Sequence, residues 1–146
     1  MAVCLPAMDE SRFVGFGPEV NVYTYSGVAI GGDLLFGFNL SSHLAAGLKL
    51  AIFNDLDTIT VSDYQAFFRY YLPFTKQGLF AQADVGFALI FKGNEYSPSF
   101  SGGLSAGWRF NFGKFLLLEP TVSFGYPYMW AVTLIVGHRQ KGNASE

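Results

Sequence analysis

Residues 120–137, PTVSFGYPYMWAVTLIVG, form the longest stretch of the chain without Asp, Glu, Lys, Arg or His. A transmembrane helix needs about 20 such residues, so this run decides between helix and strand. Pro120, Gly125 and Pro127 interrupt it, and β-branched and aromatic residues dominate it. Those residue types favour extended chain over helix. Beyond Pro127 the side chains alternate, with Trp130, Val132, Leu134 and Val136 set against Ala131, Thr133 and Gly137. A period of two belongs to a strand with two different faces.

The same period recurs along the whole chain. Val14, Phe16, Pro18, Val20 and Val22 alternate with Gly15, Gly17, Glu19, Asn21 and Tyr23. Val28, Ile30, Leu34, Phe36 and Phe38 then face away from Ala29, Gly31, Asp33, Gly37 and Asn39. Further segments carry Leu44 to Ile52 against His43, Gly47, Lys49 and Ala51, and Tyr64 to Leu72 against Asp63, Gln65, Arg69 and Tyr71. Leu79 to Phe91 oppose Gln82, Asp84, Gly86 and Lys92, while Phe100 to Phe110 oppose Ser101, Gly103, Ser105, Gly107 and Arg109. Leu116 to Tyr126 oppose Glu119, Thr121, Ser123 and Gly125, and the Trp130 segment makes eight. Between them Tyr25-Ser26-Gly27, Leu40-Ser41-Ser42, Asn54 to Thr58, Pro73 to Gly78, Gly93 to Pro98, Asn111 to Lys114 and Gly125-Tyr126-Pro127 carry turn residues. The expected organisation is an N-terminal segment 1–12, one all-β domain over 13–138 and a polar tail 139–146.

Composition narrows the class. The 146 residues are 51% hydrophobic and 18% aromatic, with one Cys and a formal charge of −2. Such a chain is too apolar for disorder and too neutral for an electrostatic nucleic-acid binder. A lone Cys excludes a disulfide scaffold, and no Cys/His cluster, nucleotide motif or phosphate loop points to a metal or cofactor.

Two architectures share this alternation. A lipocalin-like soluble barrel hides its apolar face, whereas a membrane barrel turns that face to lipid. Three features select the membrane barrel. The segments reach about 10 residues, the length of a tilted spanning strand. All 20 acidic and basic residues avoid the apolar parity. Nine of them, Glu19, Asp33, Lys49, Asp63, Arg69, Asp84, Lys92, Arg109 and Glu119, share the other face, five acids against four bases. That face is otherwise rich in Gly, Ala and Ser, which suits a narrow interior. In such a lumen the charges have to pair. Aromatics gather at the two strand ends: Phe36, Phe38, Phe68, Tyr70, Trp108 and Phe110 at one, Phe91, Phe100, Tyr126, Tyr128 and Trp130 at the other. Such girdles mark membrane interfaces. Pro18 and Pro120 lack a ladder N–H, so the pattern requires bulges there.

On these grounds the chain resembles the small eight-stranded bacterial outer-membrane barrels of the OmpA transmembrane-domain and OmpX type, over about residues 13 to 138. The resemblance implies an up-and-down antiparallel barrel with both termini in the periplasm. It also implies outer-membrane lipids as surroundings and the barrel-assembly machinery as partner during biogenesis. The last strand of that family ends on alternating apolar residues and a terminal aromatic; Trp130 to Val136 match, and His138 takes the aromatic's place.

The candidate chemistry is thin. Met1 to Ala7 reads as a signal-peptide remnant, with Cys4 inert beside it. His43 stands beside Ser41 and Ser42, but a lumen imidazole engaged in hydrogen bonding fits better than a triad member. Asp55, Asp57, Glu95 and Tyr96 are the exposed candidates on short connections. The expected function is therefore non-enzymatic: a membrane scaffold or surface protein with a side-chain-filled lumen, without cofactor and without nucleic acid. The alternatives are a narrow channel or carrier for small or hydrophobic molecules, and the soluble lipocalin-like carrier.

Overall fold

A computed structural model describes residues 12–23, 27–73 and 78–140. Nine strands follow one another: β1 (Arg12–Tyr23), β2 (Gly27–Asn39), β3 (Leu44–Asn54), β4 (Ile59–Tyr71), β5 (Leu79–Lys92), β6 (Glu95–Trp108), β7 (Phe110–Phe112), β8 (Leu116–Tyr126) and β9 (Tyr128–Gln140). β6 and β7 are two parts of one barrel strand, interrupted at Arg109, and both pair with β8. Every neighbour pairs antiparallel, β1 with β9 and β6 with β8. The sheet thereby closes into an eight-stranded barrel without an edge, the one strand arrangement that satisfies its backbone in lipid.

The start of β1, Arg12, and the end of β9, Gln140, lie at one end of the barrel, called here the terminal end; the end of β1 and the start of β2 lie at the other, distal end. Polar turns explain the reversals. Asp55 accepts from the Asp57 and Ile59 N–H groups, and Ser41 Oγ accepts from the His43 and Leu44 N–H groups. At the β5–β6 reversal Gly93 sits at φ +61°, as the first position of a two-residue II′ turn requires. The expected Gly93-to-Pro98 loop is thus a Gly93-Asn94 hairpin, and Glu95, Tyr96 and Pro98 belong to β6. Similarly, Asn111 belongs to β7 and Arg139 and Gln140 to β9. Residues 1–11 and 141–146, the expected leader remnant and most of the polar tail, lie outside the described residues.

The two prolines are accommodated without the expected bulges. At Pro18 the β1–β9 pairing stops after Phe16↔Val136 and resumes in unchanged register at Glu19↔Thr133. At Pro120 the pairing with the β6–β7 strand lapses between Gly107↔Thr121 and Phe110↔Leu118. A short gap in one ladder removes the need for the missing donor. The one register shift on β1 falls between Val22 and Tyr23, where Met129 is the extra residue on β9.

The alternation sorts the side chains as lipid outside demands. Phe16 (67%), Leu48 (58%), Ile52 (62%) and Leu104 (68%) stand exposed on the outer wall. The lipocalin-like alternative needs these side chains inside. Arg12 is the exception to the charge rule, because it lies exposed at the start of β1 on the same parity as Val14 and Phe16.

The inner face is less uniformly polar than the sequence pattern implies. Large apolar residues form a layer at each end: Phe53, Val61 and Tyr128 with four alanines at the distal end, and Phe13, Leu35, Phe67, Leu117 and Ile135 at the terminal end. The small inward residues make room for them. A Cβ on Gly37 would overlap the Phe13 ring, and one on Gly47 would meet the ring of Phe67. Substituting valine at Gly37 is therefore expected to cost about 1–3 kcal/mol through overpacking, read as a lower urea midpoint. An unchanged midpoint would mean that the Phe13 ring has free space to move.

Candidate functional site

Between the two apolar layers, strands β1 to β6, β8 and β9 and the Arg109 break place a buried polar network. Its distal part centres on Lys49 of β3. The Lys49 Nζ lies 3.1 Å from Asp33 Oδ2 and 3.3 Å from Glu19 Oε2. Glu19 also accepts from Asn21 Nδ2 (2.8 Å) and Thr133 Oγ1 (3.2 Å). The residues come from β1, β2, β3 and β9, so the cluster ties four consecutive strands across the barrel axis.

The terminal part centres on Glu119 of β8. Arg69 Nη1 donates to it at 2.9 Å, and Arg109 Nε donates to the same Oε1. The register places Arg109 directly across from Glu119, at the break between β6 and β7. Arg69 Nε then donates to Gln82 (2.8 Å), whose amide donates to Asp84 (2.7 Å), which also accepts from Ser105 (2.8 Å). The guanidiniums are covered by rings: Arg69 lies 3.8 Å from the Phe80 centroid and Arg109 4.0 Å from that of Phe13. The quadrupole of an aromatic face attracts a planar cation without neutralising it.

Of the nine charged residues expected on the inner face, eight are buried there. Lys92 is not; it is exposed at the β5–β6 hairpin, where the strand has risen beyond the packed interior. The interior therefore holds five acids, Glu19, Asp33, Asp63, Asp84 and Glu119, against three bases, Lys49, Arg69 and Arg109. Asp63 differs from the others, since neither of its oxygens has a partner at hydrogen-bond geometry among the described residues. The space left between the two clusters, bordered by Asp33, Lys49, Arg69 and Glu119, is about 20 Å³. That is room for about one water.

The expected girdle residues divide. Phe38, Tyr70 and Phe110 are exposed on the outer wall at the terminal end, with half-buried Trp108 stacked 6.1 Å from Phe110. Phe91 and Trp130 are exposed toward the distal end, with Tyr126 half-buried. Tyr128 does not belong to the girdle. It is 1% exposed, points into the barrel, packs edge-on to Phe53 at 6.2 Å and lies 5.9 Å from Lys49 Nζ. The extra residue Met129 flips the parity of β9, so a residue two before outward Trp130 faces inward.

Several solved structures share this architecture. The N-terminal β-barrel domain of Pseudomonas aeruginosa OprF matches with a TM-score of 0.61 at 14% identity, covering 91% of this chain and 98% of that one. The attachment invasion locus protein Ail of Yersinia pestis, in complex with the heparin analogue sucrose octasulfate, gives 0.60 at 14%, covering 91% and 100%. Neisserial surface protein A gives 0.65 at 14%, covering 90% and 97%. The chain has the fold of the small outer-membrane barrels. No protein-family model and no curated protein matches its sequence.

Within this fold, His43 is not a lumen residue. It is exposed on the β2–β3 turn, its Nδ1 2.8 Å from Ser42 Oγ and its ring stacked on Tyr70 at 6.4 Å. Among the described residues no acid hydrogen-bonds to this imidazole. The large apolar interior residues that the alternation does not mark are Phe13, Leu35, Phe53, Val61, Phe67, Phe80, Leu117 and Ile135. Their signal is a break in alternation, since each except Val61 belongs to a run of adjacent apolar residues such as Phe67-Phe68 or Leu134-Ile135.

Proposed function

We propose that the chain is a closed, non-enzymatic barrel of the bacterial outer membrane, serving as a membrane-embedded scaffold or surface protein. The observation that carries this reading is the plug: Glu19, Arg69, Phe53, Phe80 and Glu119 fill the lumen at 0–2% exposure. Ions crossing such a barrel would have to displace Lys49 and both arginines from their carboxylates, which costs several kcal/mol per broken buried pair. The connections support the same reading. The distal reversals are short, Gly93-Asn94 at one hairpin and Pro127 alone at another, leaving little loop for a binding site. Contacts with other components would then fall on the rims and the outer wall. Lipids of the outer membrane are its proposed surroundings. Assembly is proposed to use the barrel machinery, with Trp130, Val132, Leu134 and Val136 as the alternating signal of β9.

The test combines two readouts on full-length protein refolded in detergent. Boiled and unboiled samples are expected to migrate differently on a gel, and folding is expected only with detergent or lipid present. The folded protein in a planar bilayer is expected to give no conductance steps. Regular single-channel steps would replace the scaffold with the narrow-channel reading. Folding to a soluble monomer without detergent would remove the membrane reading altogether.

A further inference from the structure

Arg12 is the one charged side chain on the outward parity of the described strands, and its surroundings are specific. The register pairs Arg12 with Phe38 on β2 and with Gln140 on β9. Val14, two residues on, pairs with Phe36 and with His138. Phe36 in turn pairs with Leu48. Across these four strands, at the terminal end, the outer wall is grooved rather than flat. The groove holds about 630 Å³ and is bordered by Arg12, Val14, Phe36, Phe38, Leu48 and His138. That volume falls in the range of small-ligand sites. Its lining is mostly apolar and includes the Arg12 guanidinium and the His138 imidazole, the latter stacked on Phe115 at 5.5 Å.

The geometry points to a site for one anionic glycerophospholipid of the leaflet at the terminal end, its acyl chain in the apolar groove and its phosphate on Arg12. The charge argument is direct. A guanidinium on a lipid-facing wall is costly toward the bilayer centre and tolerable at the rim, where a phosphate oxygen can take its N–H groups in pairs. The six strand-end residues supply both halves of an amphiphile's requirement: exposed Phe36 and Leu48 for the chain, and the Arg12 fork for the headgroup. A zwitterionic lipid would place its own ammonium near the same cation and gain less. The proposal rests on the lipid-facing reading of the outer wall.

Full-length protein folded in detergent is mixed with equal phosphatidylglycerol and phosphatidylethanolamine and examined by native mass spectrometry. Each variant is first checked for heat-modifiable migration, so that loss of the barrel is distinguished from loss of the site. The wild type is expected to retain phosphatidylglycerol about five-fold over phosphatidylethanolamine, the worth of one basic side chain near an anionic headgroup. Arg12→Gln is expected to bring that ratio to about one while total lipid retention stays. Val14→Trp, which fills the groove, is expected to reduce retention of both lipids. Equal retention by the wild type, retention of neither lipid, or a preference that survives Arg12→Gln overturns the site. A wild type without heat-modifiable migration overturns the lipid-facing reading beneath it.

Discussion

Replacing Glu119 with alanine is expected to lower the unfolding free energy by about 3–5 kcal/mol, because it removes the single anion shared by two buried cations. Arg69 and Arg109 both donate to the same Glu119 oxygen, and the three side chains are 2%, 6% and 0% exposed. Without the carboxylate, Arg69 keeps Gln82 and the Phe80 ring, whereas Arg109 keeps the face of Phe13. Neither group replaces a counter-charge. Glu119→Gln retains the shape and one acceptor and should recover part of the loss. The triple change Arg69→Met, Arg109→Met and Glu119→Leu should recover more, since an apolar replacement of a whole buried ionic group is often neutral or stabilising. Urea unfolding in detergent, followed by the heat-modifiable gel band, gives the comparison. A Glu119→Ala loss below about 1 kcal/mol would place this cluster in the range of solvent-exposed pairs, and the lumen would then be hydrated.

The order of these effects reflects how the interior is held. Asp84 draws its hydrogen bonds from Gln82 and Ser105, both neutral. Lys49 serves two carboxylates, and Glu119 serves two guanidiniums. Each hub thus has charge two to one against it, in opposite senses, and lies between aromatic layers. Deleting a hub strands two like charges; deleting a spoke leaves a neutralised pair. Buried ionic groups of this kind contribute less to stability than to fixing one arrangement of the strands. Here they join β1, β2, β3 and β9 in one cluster and β4, β8 and the Arg109 break in the other.

Much of this was legible in the alternation, because a strand's two faces repeat every second residue and the barrel gives each face one solvent throughout. Eight of the charged positions follow from parity alone. The strands whose turns contain Gly, Asn, Asp or Ser could also be delimited to within a few residues. What escaped the pattern has physical reasons. Adjacent apolar residues such as Phe67-Phe68 place one ring in lipid and the other in the interior, and alternation counts only the first. Tyr128 escaped because a single extra residue, Met129, reverses the parity on one side of it. Lys92 escaped because parity gives a direction and not a height, and its strand outlasts the packed lumen. The prolines looked like obstacles because a ladder was assumed to be continuous. One ladder lapses beside each, next to Glu19 and Glu119 respectively, while register is kept.

The second large effect tests the direction in which the barrel faces. Leu134 lies midway along β9 (Tyr128–Gln140), between Val132 and Val136, all three exposed on the outer wall. Its neighbour Thr133 reaches inward to Glu19, which places this level in the middle of the barrel. Leu134→Arg is expected to cost about 2–4 kcal/mol when the protein unfolds reversibly from lipid vesicles, the price of a cation near the bilayer midplane. The same change at Gln140, at the terminal rim, should cost about 0–1 kcal/mol because the guanidinium can reach water. Depth dependence is the decisive part. A loss due to packing would follow the contacts that Leu134 makes and would persist in any solvent. A water-facing surface would tolerate arginine at either site to within about 0.5 kcal/mol. Equal, small costs at residues 134 and 140 would therefore overturn the lipid-facing assignment, even with the barrel intact. A steep difference between the two would tie the alternation of Trp130, Val132, Leu134 and Val136 to a bilayer of defined thickness.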